Sequence, residues 1–402
     1  MASFRYKGRN KSGKVIEGRI KGETQREAIA ELRSQGISVS SIQELTGILY
    51  KEITLLEPRV KLQDFVIYIR QFSTLLKAGI SVVDGTRILA QQTSSKALKK
   101  TLNNVAEDLE GGKAFSEVAE KHRKVFPPLF INMIRAGEAG GNLDEILDRL
   151  AVYFEKQHNT RSKVKSAMSY PIVVGIIAIV IVIFLLSTVV PTFAGMFESF
   201  GSELPLITRI VVSAGDWFKS FWWVFILILL SFYFGIITMR RNPKTKYYLD
   251  YALVKMPVFG KLLQKSALAR MTRTMASLFA SSVPILQSVA IVERIVGNEV
   301  IVRVLVDARK ALEMGQSLVG PMENHWIFPP LVTQMLSVGE KTGSLDVMLD
   351  KVADFYETEV DNATDQIKSL IEPLMIVFLS VIVGGIVASI AIPMFSIFEQ
   401  IQ

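Results

Sequence analysis

The chain has 402 residues, of which half are hydrophobic and 21% are charged, and its formal net charge is +8. Its mean hydropathy of +0.33 is too high for an ordinary soluble enzyme, and its charged fraction is too high for a protein made only of membrane spans. Cysteine is absent, which excludes a disulfide framework and a thiolate metal site. The composition therefore indicates soluble domains tethered to a few spans.

Residues 1–45 predict a small α+β appendage, and residues 46–60 predict a linker. Apolar and polar residues alternate there as they do in half-buried strands, and a turn-forming segment rich in polar residues separates the first two strands. The predicted elements, in chain order, are strand 4–8, turn 10–13, strand 15–20, helix 23–35 and strand 37–42.

A match to the phosphate-binding loop occurs in this appendage but lacks the chemistry of such a loop. Gly8, Gly13 and Lys14 have the required spacing, yet Val15 stands where Ser or Thr would bind magnesium. The glycines also flank a predicted hairpin turn and do not lie between a strand and a helix. We therefore expect no phosphate site here.

The rest of the chain contains a duplication. Phe-Pro-Pro-Leu at 126–129 recurs at 328–331, an offset of 328 − 126 = 202. At the same offset, Gly-Glu-x-x-Gly-x-Leu-Asp at 137–144 recurs at 339–346. Apolar segments follow both copies in register, so the duplicated unit comprises a soluble domain and a membrane span.

Each copy predicts a bundle of about six helices, at 61–169 and at 265–372. Apolar residues recur at helical spacing, and the boundaries carry helix signals, such as the capping box of Ser81 with Asp84. Asn142 is expected to cap the sixth helix of the first copy. No clear break separates this helix from the membrane, so we expect it to continue into the span.

Three apolar segments without ionisable residues are long enough to cross a bilayer, since about 20 residues at about 1.5 Å each span roughly 30 Å. The expected membrane organisation is a first span at 170–192, an external loop at 193–220, a second span at 221–239, a linker at 240–264, a third span at 373–395 and an external tail at 396–402.

Basic residues flank the spans on one side, as at Arg161 and Lys165 before the first span and at Arg240 and Arg241 after the second. The positive-inside rule therefore places the amino terminus and both bundles in the cytoplasm. Two copies with the same orientation require one return crossing, which explains the unpaired second span.

The duplicated glycine-rich segments are the candidate interaction sites. One interpretation is a tight turn between two helices, and the other is a surface loop that binds a partner. The candidate residues are Gly137, Glu138, Gly141, Leu143, Asp144, Gly339, Glu340, Gly343, Leu345 and Asp346.

Small residues in the third span, Gly384, Gly385, Ala388 and Ser389, predict close helix packing within the protein or between copies of it. The spans carry no charge that would suggest an ion path. The three histidines lack ligand spacing, and a position at a helix end is the preferred interpretation for His122 and His325. The residues therefore indicate no metal, cofactor or catalytic site.

Over its whole length the chain resembles the polytopic platform proteins of type IV pilus assembly machines, a family shared with protein F of type II secretion. The most specific features are the paired motifs within 126–144 and 328–346. Further similarity lies in Ser-Tyr-Pro at 169–171, Val-Pro-Thr-Phe at 190–193 and Glu-Leu-Pro at 203–205. The resemblance implies a mostly α, multi-pass protein of the cell inner membrane that is not an enzyme and needs no cofactor.

The resemblance also implies partners: hexameric pilus assembly and retraction ATPases, pilins, and cytoplasmic and inner-membrane accessory pilus proteins. Such a protein couples the ATPase to the insertion or extraction of pilins, and we expect a homo-oligomer that does not bind nucleic acid. One alternative is the equivalent protein F of a type II secretion or competence pseudopilus system. A more distant one is a helical-bundle transmembrane sensor, although the external segment is small, and a transporter is opposed by the uncharged spans.

Overall fold

The chain divides into two compact units, Met1–Arg59 and Val60–Gln402. The computed structural model describes residues 2–9, 15–22, 25, 29, 32–33, 36–44, 59–199 and 206–401.

The described part of the amino-terminal unit is a three-stranded antiparallel sheet of order β2-β1-β3, formed by β1 Ala2–Arg9, β2 Val15–Gly22 and β3 Ser38–Glu44. The three predicted strands are thus confirmed. A Cβ at Gly8 would lie 2.7 Å from the backbone oxygen of Ser38, so this glycine permits close strand pairing. The predicted turn at 10–13, most of the helix at 23–35 and nearly all of the linker at 46–60 lie outside the described residues.

The first bundle consists of six helices within residues 59–199. Ser81 Oγ accepts a hydrogen bond from the Asp84 backbone nitrogen at 3.1 Å, which confirms the capping box. Gly79 ends the preceding helix with a φ of +84°. The helices are α1 Leu62–Lys77, α2 Val82–Gln92, α3 Lys96–Glu110, α4 Phe115–Lys121, α5 Pro128–Gly140 and α6 Leu143–Phe184.

Helix α6 runs from the bundle into the apolar segment without a break, as expected from the sequence, and Pro171 lies inside it. A π-helical turn, Leu185–Val189, joins it to α7, Val190–Ser199. This turn ends two residues before Pro191, whose nitrogen cannot donate a helical hydrogen bond. The first span is therefore a continuation of the bundle.

Helix α8, Leu206–Arg241, returns the chain and is interrupted at Phe221, where φ is −121° and ψ is 15°. The segment 193–220, expected as an external loop, is therefore helical in its described residues. A Cβ at Gly215 would lie 3.1 Å from the backbone oxygen of Leu186, so the part of α8 before the kink packs against the π-helical turn. The expected second span begins at the kink.

The segment 240–264, expected as a linker, instead contains helix α9, Pro243–Lys255, and the start of α10. The carboxylate of Asp250 accepts a hydrogen bond from the backbone nitrogen of Glu299 at 2.8 Å, so α9 belongs to the second bundle. The remaining helices are α10 Phe259–Ala280, α11 Ile285–Ile295, α12 Glu299–Glu313, α13 Gly320–Glu323, α14 Pro330–Thr342 and α15 Leu345–Ile401.

Helices α10 to α15 repeat the plan of α1 to α6, and α15 again continues into an apolar segment. The fold is thus mostly α with two repeated bundles, as predicted, and the described part of the amino-terminal unit is a small sheet. In the described part of the chain, three helical segments are long and apolar enough to cross a membrane: Leu143–Met196, Thr208–Arg241 and Leu345–Ile392.

The two long helices α6 and α15 lie side by side and run in the same direction. Lys156 Nζ lies 2.7 Å from Asp354 Oδ1, and Lys163 forms an ion pair with Asp361. Both pairs have the same spacing, since 354 − 156 = 198 and 361 − 163 = 198. This spacing is four residues shorter than the repeat offset of 202.

Candidate functional site

An arginine of α1 connects this helix to the bundle part of α6 through ion pairs. Arg70 donates hydrogen bonds from Nε and Nη2 to the two carboxylate oxygens of Glu155, at 2.6 and 2.5 Å, and from Nη1 to Asp148 at 2.9 Å. Lys77 Nζ lies 3.0 Å from the second oxygen of Asp148. The planar guanidinium suits this bidentate contact, which holds α6 in one orientation on α1.

The second bundle repeats the cluster at equivalent positions. Arg273 lies 203 residues after Arg70, and it donates to both carboxylate oxygens of Glu357 at 2.7 and 2.9 Å. It also contacts Asp350, and Asp354 at 2.5 Å. Its side chain is 8% exposed, whereas that of Arg70 is 38% exposed. The duplicated arginine is therefore more deeply buried and has more partners in the second copy.

The charges of these clusters are mutually stabilised. The hydrogen bond from Arg70 is the main cause of the lowered pKa of Glu155. Burial acts to raise the pKa of Asp148, but the hydrogen bonds and charges of Lys77 and Arg70 outweigh it and lower the pKa overall. Burial likewise acts to raise the pKa of Asp354, and Lys156 and Arg273 reverse the shift. These carboxylates therefore remain ionised near neutral pH.

Helix α6 of the first copy also packs on α10 of the second. The Tyr153 hydroxyl and Thr274 Oγ1 are buried and 3.0 Å apart, and burial raises the pKa of Tyr153. Lys156 bridges the copies because it contacts Asp354 and, at 3.4 Å, Glu357. The two bundles and both long helices thus meet through one polar network below the spans.

The duplicated glycine-rich segments are tight turns between helices. Gly137 and Gly339 are buried where α5 meets α6 and α14 meets α15. A Cβ at Gly137 would lie 2.9 Å from Ile146 Cγ1, and one at Gly339 would lie 3.0 Å from the Cα of Leu345. Glycine is therefore required for the close approach of each helix pair.

Gly141 and Gly343 follow α5 and α14 in the left-handed conformation, each with a φ of +72°. This conformation ends both helices as in a C-cap, because it allows the next backbone nitrogen to bond back to the helix. The nitrogens of Asn142 and Ser344 donate to the carbonyl oxygens of Gly137 and Gly339, at 3.1 and 3.0 Å.

Glu138 and Glu340 each have a structural role that the sequence did not predict. Glu138 Oε1 accepts a hydrogen bond from the backbone nitrogen of Ser116 at 3.2 Å. At the equivalent positions, Glu340 Oε1 accepts from the nitrogen of Leu318 at 2.9 Å. Both carboxylates satisfy backbone donors that would otherwise lack a partner, and both are half-buried. The spacing of 22 residues between acceptor and donor recurs in both copies, and this recurrence is the sequence signal that could have revealed the contact.

The remaining turn residues differ in exposure. Leu143 and Leu345 pack against the hydrophobic core, Asp144 is exposed, and Asp346 is half-buried. Asn142 occupies the N-cap position of α6, as expected, but the expected capping by its side chain is wrong, because that side chain forms no cap hydrogen bond. Its amide nitrogen instead lies 3.4 Å from Glu145 Oε2. The turn set by Gly141 uses the neighbouring backbone groups instead.

The small residues of the third span fall on two faces of α15. Ser389 is buried, and its backbone oxygen accepts a hydrogen bond from Thr208 Oγ1 at 2.7 Å, so this face packs on α8 within the chain. Ala388 is half-buried. Gly384 and Gly385 are exposed, and a Cβ on either would have no described neighbour within 4 Å.

The histidines do not form a site. His122 immediately follows α4, and His325 lies shortly after α13; burial lowers the pKa of each, which favours the neutral imidazole. Among the residues that the structure describes, no group of three or more His, Asp or Glu side chains could hold a metal ion.

Two tandem helical bundles, each continued by its last helix into an apolar span, define a polytopic membrane protein with an internal duplication. Family comparison gives the same division. The family "Type II secretion system (T2SS), protein F" matches residues 68–191 and again 271–393. The amino-terminal domain of that family matches residues 1–43. The chain belongs to the type II secretion system protein F family.

Full-length relatives carry names from two machines. The chain is 40% identical over 400 residues to the "Type IV pilus assembly protein PilC" of Thermus thermophilus, covering 99% of this chain and 98% of the relative. It is 36% identical over 408 residues to the protein of the same name from Myxococcus xanthus, covering 100% and 96%. It is 30% identical over 404 residues to the "Type II secretion system protein F" of Xanthomonas campestris, covering 100% of both chains.

Proposed function

We propose that this chain is the inner-membrane platform of a type IV pilus machine and that it couples a cytoplasmic hexameric ATPase to the movement of pilins. The similarity to pilus assembly proteins over 99% of the chain supports the pilus assignment. The single structural observation that carries the mechanism is the continuity of α6 and α15 from the bundles into the spans.

A continuous helix transmits displacement because its backbone hydrogen bonds resist bending and stretching. Each long helix is also clamped to its bundle, by Arg70 in the first copy and by Arg273 in the second. A push on a bundle therefore moves the attached span, which can act on hydrophobic pilin helices in the bilayer. The exposed apolar side chains of the spans suit contact with such helices.

In this proposal the amino terminus and both bundles lie in the cytoplasm, as the basic flanks predict. The turns after Gly137 and Gly339 help to present the surface that contacts the ATPase, and accessory pilus proteins and further copies of the chain complete the assembly. Because Glu138 and Glu340 are occupied by backbone nitrogens, the exposed Asp144 is the sharper probe of this contact.

Charge reversal at Asp144 tests the ATPase contact. D144K is expected to reduce co-purification of the assembly ATPase severalfold with only a small loss of thermal stability. No hydrogen bond or ion pair of this carboxylate is seen among the described residues, and reversal of a first-turn charge costs about 0.3–1 kcal/mol. K99Q, an exposed change on α3, serves as the control. Unchanged co-purification with a well-folded D144K protein would reject the contact at this turn.

Helix continuity is tested by inserting three glycines after Lys368, an exposed position on α15 below the third span. The proposal predicts an inserted, stable protein in cells that lack pili, because the flexible segment absorbs the displacement. The same insertion after Gly112, in the exposed turn that follows α3, should leave piliation intact. Normal piliation with the Lys368 insertion would contradict mechanical coupling through α15.

The second candidate is the equivalent role in type II secretion, and it is favoured by the full-length match to the Xanthomonas campestris protein. Deletion in the source organism separates the two. Loss of surface pili with normal secretion supports the pilus machine, whereas retained secretory enzymes in the periplasm with intact pili support the secretion system.

A further inference from the structure

A cavity of about 540 Å³ lies between α6, α10 and α15, below the first span. This volume is within the range of about 300–1,000 Å³ that is usual for small-ligand sites. Five of its lining residues are basic and one is acidic: Lys156, Arg161, Lys165, Arg270, Arg273 and Glu357. The cavity therefore carries an excess of positive charge.

Pairing within the protein neutralises only part of this charge. Arg273 and Lys156 are satisfied by Asp350, Asp354 and Glu357. Counting these groups with the other three cations gives five positive and three negative charges, a balance of +2. Among the described residues, no carboxylate lies within 4.0 Å of Arg161, Lys165 or Arg270.

Arg270 is the central unneutralised cation. Its side chain is half-buried, and its Nη1 donates a hydrogen bond of 3.3 Å to the backbone oxygen of Val296. Burial lowers its pKa, and the charge of Arg161 acts in the same direction. A guanidinium that is desolvated and repelled by a neighbouring cation is stabilised when an anion binds between them.

The upper end of the cavity lies close to the start of the expected first span. Met168, which lines it, is three residues before Pro171, and Lys165 is six residues before it, a rise of roughly 9 Å along the helix. Exposed Ile172 and Ile176 follow on the apolar part of α6. A lipid could thus place its phosphate in the cavity while its acyl chains remain beside the span.

We propose that this cavity binds a phosphate group and that its natural occupant is the headgroup of an anionic phospholipid. Arg161, Lys165 and Arg270 surround the phosphate, and Val164 and Met168 adjoin the first part of the acyl chains. Basic pockets between membrane helices commonly bind anionic headgroups in this way. Bound lipid would join α6 of the first copy to α10 of the second, next to the Tyr153–Thr274 contact.

The test uses the full-length protein purified in detergent and titrated with dioleoylphosphatidylglycerol or dioleoylphosphatidylcholine, with bound lipid counted by native mass spectrometry. R161Q/K165Q removes two exposed cations that have no carboxylate within 4.0 Å in the described part of the chain. Each basic side chain near a membrane surface contributes about fivefold in affinity, so the variant should bind the anionic lipid about 25-fold more weakly. Binding of the zwitterionic lipid should change little.

Two further variants test whether weaker lipid binding comes from the cavity, from a change in general surface charge or from misfolding. R241Q/K244Q makes the same charge change at exposed positions beside the second span, outside the cavity, and should bind like the wild type. R161K/K165R preserves the charges and should also retain binding. Equal affinity of the wild type and R161Q/K165Q for the anionic lipid would overturn the proposal, as would equal loss in R241Q/K244Q.

A parallel experiment distinguishes a phospholipid headgroup from a soluble phosphate as the ligand. Inorganic phosphate is added to the same proteins, and thermal unfolding is followed. Selective weakening of phosphatidylglycerol binding in R161Q/K165Q, with no effect of inorganic phosphate on unfolding, supports the lipid. Stabilisation of the wild type but not of R161Q/K165Q by inorganic phosphate, without selective lipid binding, would overturn the lipid assignment and leave a soluble phosphate as the ligand.

Discussion

Arg273 forms a bidentate contact with Glu357, in which Nε donates to Oε1 at 2.7 Å and Nη2 donates to Oε2 at 2.9 Å. Arg70 and Glu155 repeat this geometry in the first copy, but there the arginine is far more exposed. The duplicated pair therefore offers a matched comparison of the same interaction at two depths of burial.

Removal of the arginine is expected to cost more in the second copy. R273Q leaves three carboxylates facing one another around a buried position, and we expect a loss of roughly 3 kcal/mol in the free energy of unfolding. R70Q breaks a pair that is only partly buried and should cost less, about 1 kcal/mol. Denaturant unfolding of the two proteins in detergent measures both values. Equal losses would show that burial does not set the contribution of this cluster.

Substitution of the buried turn glycine should also destabilise the protein. G339A places a methyl group 3.0 Å from the backbone Cα of Leu345, which cannot rotate away, and overpacking of this kind costs about 1–3 kcal/mol. G320A is the control, because a Cβ there has no described neighbour within 4 Å and should change stability by less than about 0.5 kcal/mol. Similar melting temperatures for the two variants would contradict the close helix packing.

Acid should weaken the arginine clusters in a defined direction. The lowered pKa values of Asp148 and Asp354 mean that their stabilisation is complete above the unfolded-state value of about 3.9 and is lost as pH falls through the folded values. Thermal unfolding measured from pH 7 downwards should therefore show a steep loss of stability below about pH 4. D148N/D354N removes both titrating groups and should flatten this part of the profile; a profile parallel to the wild type would be inconsistent with the assignment.

The pairing of the long helices can be tested by exchanging charges at Lys163 and Asp361. K163E sets two carboxylates against each other and D361K sets two cations against each other, so each single variant should reduce piliation severalfold. The exposed pair contributes only about 0.2–1 kcal/mol, so expression should be preserved. Combining the two changes restores opposite charges and should recover most pili, counted by electron microscopy. Failure of the double variant to recover would argue against a contact between these helices in the cell.

The membrane orientation is accessible because the chain has no natural cysteine. D307C, at an exposed position of α12, should react with a membrane-impermeant maleimide only after permeabilisation. K219C, just before the kink at Phe221, should react in intact spheroplasts. Labelling of D307C from outside the cell would reverse the proposed topology and exclude contact of the second bundle with a cytoplasmic ATPase.

Local signals explain which parts of the fold could be predicted. Gly79 and the Ser81–Asp84 pair specify a helix end and a helix start through their own backbone geometry, so neighbouring residues were sufficient. Asn142 shows the limit of this reasoning. It occupies a favourable position, yet the left-handed Gly141 redirects the chain and its side chain forms no cap hydrogen bond.

The candidate sites depended on contacts that the sequence does not reveal locally. Arg70 and Glu155 are 85 residues apart, and the phosphate-binding cavity forms only where α6, α10 and α15 converge. The sequence predicts Glu340 as a candidate for a partner contact because its hydrogen bond to Leu318 joins residues 22 positions apart. Likewise, α9 replaced an expected linker because packing against α12, which includes the Asp250 contact, supports a helix in a polar segment.

Residues of α6 pair with residues of α15 that are 198 positions later, whereas the sequence repeat has an offset of 202. The two long helices are therefore staggered by four residues. At these two ion pairs, a residue of α15 lies nearer the bilayer than its counterpart in α6 by about four residues, or roughly 6 Å along the helix. A flat, planar ring pressed against the chain from below would therefore reach Asp144 before it reached Asp346. In the proposed function, the stagger means that the two copies would be contacted one after the other by the same surface.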